Sequence, residues 1–420
     1  MKPTLAVAGG GASGLCAAVC AGRSGAFGRV LLLERGPRVG RKLLATGNGR
    51  CNLTNRFFSA ENYRCRDGQA PDFVKPAFRA FGLSETLGFF ESLGILPLEE
   101  DGGKIYPRSL QAASVLDALR FEAERLGVEI LCGQEVTGIR PTAEGFLLFT
   151  EDGRHRAGQV LLAAGGAASP KLGGTDSGCR LLEGLGHGVT PLVPSIVQLK
   201  TETATIRALT GIKADGRAIL TDGKDSFADE GEILFTEYGV SGPPVMQLSC
   251  RAGRMLDQGR KPALLLDLAA EYGEAELFRL LEQRAAARPW TLLENFLMGM
   301  FHKRVGQAAM KAAGIAPLSR EAGSLSAGEL WALAAQLKGW KLPVTGTMGL
   351  ANAQVTAGGA ELSGFDPETM ESRLAPGLFA CGEVLDIDGD CGGFNLQWAW
   401  SSAMLAVRSM TAQRKGGMYR

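Results

Sequence analysis

The stretch Thr4–Leu15, TLAVAGGGASGL, constrains this chain more than any other. A short apolar run, Leu5-Ala6-Val7-Ala8, suits a strand buried on both faces. Gly9, Gly11 and Gly14 follow at G-x-G-x-x-G spacing, and the alanine-rich segment Ala12–Ala21 reads as a helix. Strand, glycine turn and helix aim backbone N–H groups and the positive end of a helix dipole at one point, a place for a pyrophosphate against Gly9, Gly11, Ala12, Ser13 and Gly14. Alone, the pattern says little where 58 of 420 residues are glycine, because a ligand-free turn uses the same residues. A second apolar run, Val30–Leu33, ends at Glu34, about 20 residues further on, where a dinucleotide's adenosine ribose offers its hydroxyls. The two features together point to dinucleotide binding. Glu34 would repel a 2′-phosphate, which argues against NADP here, with the neighbouring Arg35 as counterweight.

A chain of this length is comfortable for two or three domains, and 45% hydrophobic residues supply a large core. A formal net charge of +1 removes the case for a general polyanion-binding surface, so no nucleic-acid partner is expected. Met1-Lys2-Pro3 leads straight into the first strand, which argues against a signal peptide, and no run nears 18 apolar residues. The nine cysteines are scattered and never spaced C-x-x-C, as suits reduced thiols in a cytoplasmic protein. Cys16 and Cys20 are expected to pack on one helix face, and no metal site is expected. The aspartates at 386, 388 and 390 fail as a calcium loop, since Cys391 holds the place of the required glycine and Gln397 that of the bidentate Glu.

Beyond Glu34, the segment 40–55 carries Gly47 and Gly49, which let backbone approach a flat or phosphorylated ligand, and Arg41, Lys42 and Arg50, which could offset phosphate charge. Helical spacing covers about 72–126, and strands follow over 128–164, ending at Gly165-Gly166. The chain changes character near Pro191–Pro194. The expected division is a discontinuous domain over 1–190 and 344–420, a β-rich insert over 191–268 and a mainly helical insert over 269–343. The chain then returns through VTAGG (355–359), a strand ending at Gly382-Glu383, and a helix from Asn395.

These returning segments decide between dinucleotides. NAD needs little beyond a first βαβ unit, whereas the ribityl and flavin halves of FAD need contacts from elsewhere. Ala164-Gly165-Gly166 and Gly382-Glu383 suit that need, and the closing helix would point Gly393-Phe394-Asn395 at the flavin, favouring electrons entering the ring.

The motifs GGGASGL (9–15), GRKLLATGNGRCNLTN (40–55), LAAGGAASPKLGGTDSG (162–178), GEILFTEYGVSGP (231–243), VTAGG and GLFACGEVLDIDGDCGGFNLQWAWSSA (377–403) resemble the flavoproteins that include aminoacetone oxidase and the BaiN-type bile-acid reductases, often known only as NAD(P)/FAD-dependent oxidoreductases. The resemblance implies an α/β fold: a Rossmann-like, glutathione-reductase-type FAD domain, discontinuous, with a β-rich and a helical lobe inserted. It implies that Glu34 holds the adenosine ribose and that Val136 meets adenine through its backbone. Asn48, Gly49, Cys51 and Asn52 would lie near the pyrophosphate and flavin. Glu383 would face the ribityl chain or pyrophosphate, and Asn395, Leu396 and Gln397 would edge the isoalloxazine.

The expected activity is hydride transfer between FAD and a small or medium organic substrate. NAD(P)H would bind transiently as electron donor, since no second G-x-G-x-x-G follows a strand between 191 and 343. An amine or aminoketone oxidase using oxygen and a non-catalytic FAD-binding redox sensor remain as alternatives. Cys51 lacks a paired cysteine over 52–56, against a disulfide relay, and the three histidines suggest structural roles. In the insert, Tyr238 could donate a proton and Glu237 could pair with a cationic substrate, or the two could simply form a turn.

Overall fold

The computed structural model describes residues 2–417, with side chains described through residue 412. The chain forms two compact units, one from the residues up to Val193 and from Gln354 onwards, the other from Pro194–Ala353. Each has its own hydrophobic core.

The first unit is a Rossmann-like α/β domain. Strand β1 (Thr4–Ala8) leads into helix α1 (Ala12–Ser24), strand β2 (Arg29–Glu34) and the short helix α2 (Arg41–Ala45). A five-stranded sheet has the order Leu378–Ala380, Gln159–Leu162, β1, β2, Glu129–Cys132, and every pair in it is parallel. Leu5, Val7, Leu31, Leu32, Leu161 and Leu162 are fully buried. Each contributes roughly 1.5–3 kcal/mol relative to exposure, and burial on both faces explains why these strands are continuous apolar runs. The register pairs Ala8 with Leu33 and with Leu162, and Leu162 with Ala380. Four strands from both ends of the sequence therefore finish along one edge, where open α/β sheets bind ligands. The closing helix, Phe394–Gly417, packs on α1.

A three-stranded antiparallel sheet, Val136–Thr142, Gly145–Thr150 and Gly153–Ala157, precedes the Gln159–Leu162 strand. The helical reading of 72–126 covers Ala70–Ala80, Leu83–Glu91 and Ala112–Arg125. Between them lies a hairpin, Pro97–Glu100 with Lys104–Pro107, whose second strand also pairs with Thr54–Asn55. Strands of four residues are too short for alternation to stand out, and the third strand, Thr54–Asn55, joins them from outside the helical stretch.

The second unit is a closed six-stranded barrel with helices Pro243–Asp257, Glu274–Ala287, Lys303–Ala312 and Ala327–Lys338. Its strand Trp340–Thr347 follows the helices and pairs with both Ala263–Asp267 and Leu199–Thr201. The barrel thus needs chain from both sides of the helical segment. The sequence reading ended the insert at 343, whereas this strand runs through that point and the unit ends at Ala353. No helix among the described residues is long and apolar enough to cross a membrane.

Candidate functional site

The sheet edge opens into a cleft, all of whose lining comes from the first unit. Its lining runs from Glu34 at the end of β2 to Trp398 on the closing helix, the extended shape a dinucleotide needs.

The glycine turn forms its floor. Gly9 has φ +112, and a Cβ there would lie 2.4 Å from the Ala163 carbonyl oxygen. A Cβ on Gly14 would lie 1.8 Å from the Gly9 oxygen, so Gly14 serves the packing of α1 against the turn. Gly11 differs: its Cβ would meet nothing within 4 Å, and the residue lines the cavity. Two glycines thus allow the turn to close, and the third keeps open a cradle that a side chain would fill, which fits a phosphate-bearing ligand.

Glu34 stands at one side of the cavity. Its carboxylate accepts the N–H of Gly10 at 2.8 Å and of Gly36 at 2.6 Å. A carboxylate has about four acceptor positions, so two remain for a ribose diol. Arg35 pairs with Glu135 at 3.5 Å, and both line the cavity beside Val136. Arg41 donates to the Lys171 carbonyl, and Lys42 to Glu383 at 2.8 Å. Ala164, Gly165 and Glu383 form a further stretch of wall, and Asn395, Leu396, Trp398 and Ala399 extend it along the first turn of the closing helix.

Other residues assigned by motif stand back from the lining. Asn48 and Gly49 are exposed on the turn Thr46–Gly49, of which only Thr46 reaches the cavity. Cys51 is fully buried, and burial pushes its thiol up to about 12; Cys381 is pushed to about 12 likewise. Both stay protonated at neutral pH and are poor nucleophiles. Asn52 is buried beside Gly393, and its Oδ1 has no hydrogen-bond partner. Gly166 packs under Thr356 and Glu383, and the Gly382 N–H donates to Ser402 Oγ. Gly393, at φ +104, lies against the Thr54 carbonyl and accepts the Gln397 N–H.

The side chain of Gln397 points into the core, correcting its assignment to the isoalloxazine edge. It accepts from Thr54 Oγ1 at 2.5 Å and donates to Ser401 Oγ at 2.7 Å. The reason is helical geometry: at about 100° per residue, positions 395, 396, 398 and 399 share a face and 397 falls opposite. Trp398 lines the cavity, whereas Trp400 is buried with its ring N–H on the Leu53 carbonyl.

Glu237 and Tyr238 lie in the second unit, on the turn between the barrel strands Ser226–Phe235 and Gly239–Ser241. Glu237 is exposed and Tyr238 half-buried, and the Thr201 N–H donates to the Tyr238 carbonyl. None of the three histidines lines the cavity. Asp388 faces Arg64 at 3.8 Å, and Asp390 accepts from Asn62 at 2.9 Å. Among the described residues, no group of three or more His, Cys, Asp or Glu side chains is placed to hold a metal.

Sequence reasoning missed Gly10, Gly40, Thr46, Gln134, Thr175, Ser177, Gln354 and Ile387, all part of the lining. Thr175 and Ser177 lie inside the GTDSG stretch, and Gln354 just before VTAGG, so their motifs carried the signal although their roles could not be told apart.

Comparison with known proteins accords with this geometry. The 3-dehydro-bile acid delta(4,6)-reductase of Clostridium scindens is 38% identical over 96% of this chain and 98% of its own. The ribosomal RNA dihydrouridine synthase of Escherichia coli is 28% identical over 97% of this chain and 98% of its own. Among solved structures, the 3-ketosteroid delta1-dehydrogenase of Sterolibacterium denitrificans shares the fold, with TM-score 0.53 and 14% identity over 98% of this chain and 99% of that one. Residues 3–409 match the family described as HI0933-like protein Rossmann domain, and the chain belongs to that family.

Proposed function

We infer that this protein is an FAD-dependent oxidoreductase acting as a reductase, with NAD(P)H as transient electron donor and a carbon–carbon double bond conjugated to a carbonyl as acceptor. One observation carries the cofactor reading: the cavity extends from Glu34 at the end of β2 to Trp398 on the closing helix, far past what a first βαβ unit supplies. When bound, FAD supplies hydride transfer at the flavin N5. The chain's part is to hold and polarise. Glu34 would take the adenosine ribose, Gly11 and Ser13 the diphosphate, and Val136 the adenine. The N-terminal turn of the closing helix would favour negative charge on the ring it faces. Tyr238 and Glu237 are the proposed proton donor and charge partner for the substrate.

The acceptor class rests on what the two relatives' names share. One name specifies a delta(4,6) reductase and the other the making of a dihydro base, and both describe two hydrogens added across an unsaturated bond. A small-molecule acceptor is favoured over RNA by the near-neutral net charge of +1. We place the protein in the cytoplasm on its nine scattered cysteines, none of them spaced C-x-x-C.

Anaerobic mixing of the yellow protein with NADH or NADPH tests the reading through the flavin absorbance band. Bleaching, followed by reoxidation with an enone, supports the reductase. Peroxide formed in air from an amine, with no bleaching by either nicotinamide, would indicate the oxidase instead. Neither response would leave a redox sensor. Reoxidation by uridine-containing RNA but by no enone would move the acceptor to nucleic acid.

A further inference from the structure

Lys42 and Glu383 are 341 residues apart in sequence and meet on the cavity wall. Lys42 Nζ donates to Glu383 Oε2 at 2.8 Å, and the Thr356 N–H donates to Oε1 at 2.6 Å. The carboxylate rests against Gly165 and Gly166. A Cβ on Gly166 would lie 3.0 Å from Glu383 Cδ and 2.5 Å from Thr356 Oγ1. Three distant chain segments therefore hold one carboxylate in a cavity whose glycine turn suits a diphosphate.

That arrangement contains an electrostatic conflict. A carboxylate and a diphosphate in one partly buried cavity repel each other more strongly than in water. The other cations of the lining are engaged elsewhere, Arg41 with the Lys171 carbonyl and Arg35 with Glu135. Lys42 is the cation on Glu383, and its helix is tied to the glycine turn, since the Gly40 N–H donates to the Gly10 carbonyl at 2.8 Å.

We propose that Lys42 is the charge-neutralising latch of the cofactor site, holding Glu383 and shielding it from the diphosphate so that both occupy one cavity. The proposal rests on the FAD reading above. It makes Lys42 a positioning residue that acts through Glu383. A lysine that only attracted phosphate would contribute the same whether or not the carboxylate were charged.

The test is a double-mutant cycle on flavin-stripped full-length protein, with FAD affinity read from quenching of flavin fluorescence. Lys42→Met should weaken FAD binding by about 30-fold or more relative to wild type, and by at least about 10-fold more than Glu383→Gln does. The double variant should recover to within about 3-fold of Glu383→Gln. Because it carries the same lysine truncation, recovery there excludes misfolding as the cause. A double variant as weak as Lys42→Met overturns the latch. Failure of the wild-type protein to bind FAD overturns the cofactor reading itself, a separate outcome.

Discussion

Thr54 Oγ1 donates to Gln397 Oε1 at 2.5 Å, joining positions 343 residues apart inside a core where both residues are fully buried. Gln397 also donates to Thr86 Oγ1 and Ser401 Oγ, and Ser401 donates to the Phe81 carbonyl. The network anchors the closing helix from behind while its opposite face lines the cavity. Replacing Gln397 by Leu removes the shared partner of three hydroxyls. The expected loss is about 3 kcal/mol of unfolding free energy in urea titration. Unchanged stability would show that the hydroxyls re-pair among themselves.

The glycine turn separates packing from binding. Gly14→Ala places a methyl 1.8 Å from the Gly9 oxygen and should cost about 3 kcal/mol of stability. Gly11→Ala meets nothing and should leave stability within about 0.5 kcal/mol, yet weaken FAD binding by at least about 10-fold, because its methyl enters the cradle. Thermal melts paired with fluorescence titration check both.

Glu34→Arg should yield mostly colourless protein. The change removes the acceptor for the Gly10 and Gly36 N–H groups and the acceptors available to a ribose. Full retention of flavin, read as the ratio of visible to ultraviolet absorbance after purification, would place the adenosine elsewhere.

Burial lowers the His187 pKa from its ordinary 6.5, keeping the ring neutral where Nε2 faces Ser372 Oγ at 2.9 Å. In the unfolded chain the ring takes up a proton as pH falls through 6.5, and in the folded chain it does so only lower. Its stabilisation is therefore present above pH 6.5 and lost as pH falls toward the lowered value. The stability difference between wild type and His187→Asn, measured by urea titration from pH 8 to 5, should shrink steadily below 6.5.

Thiol reactivity should be ordered by burial. Cys132 is exposed, Cys20 and Cys391 are half-buried, and Cys51 and Cys381 are enclosed with thiols pushed to about 12. A disulfide reagent at pH 8 should give one fast phase that disappears in Cys132→Ser. A fast phase surviving that substitution would show that an enclosed thiol opens to solvent.

How much was legible follows from the range of the forces involved. Leu5–Ala8 and Val30–Leu33 declare themselves because strands covered on both faces must be apolar throughout, and Gly9 and Gly14 because no side chain fits where backbone crosses backbone. Such constraints are local, and the chain writes them locally. The barrel strand Trp340–Thr347 was hidden because its pairing partners lie far away in sequence, and the hairpin Pro97–Pro107 because strands of four residues are too short for alternation to stand out.

The glycine pattern and Glu34 established by themselves that a dinucleotide turn begins this chain, since spacing alone dictates where N–H groups and a carboxylate converge. Which face of the closing helix looks into the cavity, and which carboxylate Lys42 neutralises, was decided only by the tertiary structure. Those outcomes depend on segments more than 300 residues apart arriving at one sheet edge. Parallel strand order, which no local pattern encodes, brings them there.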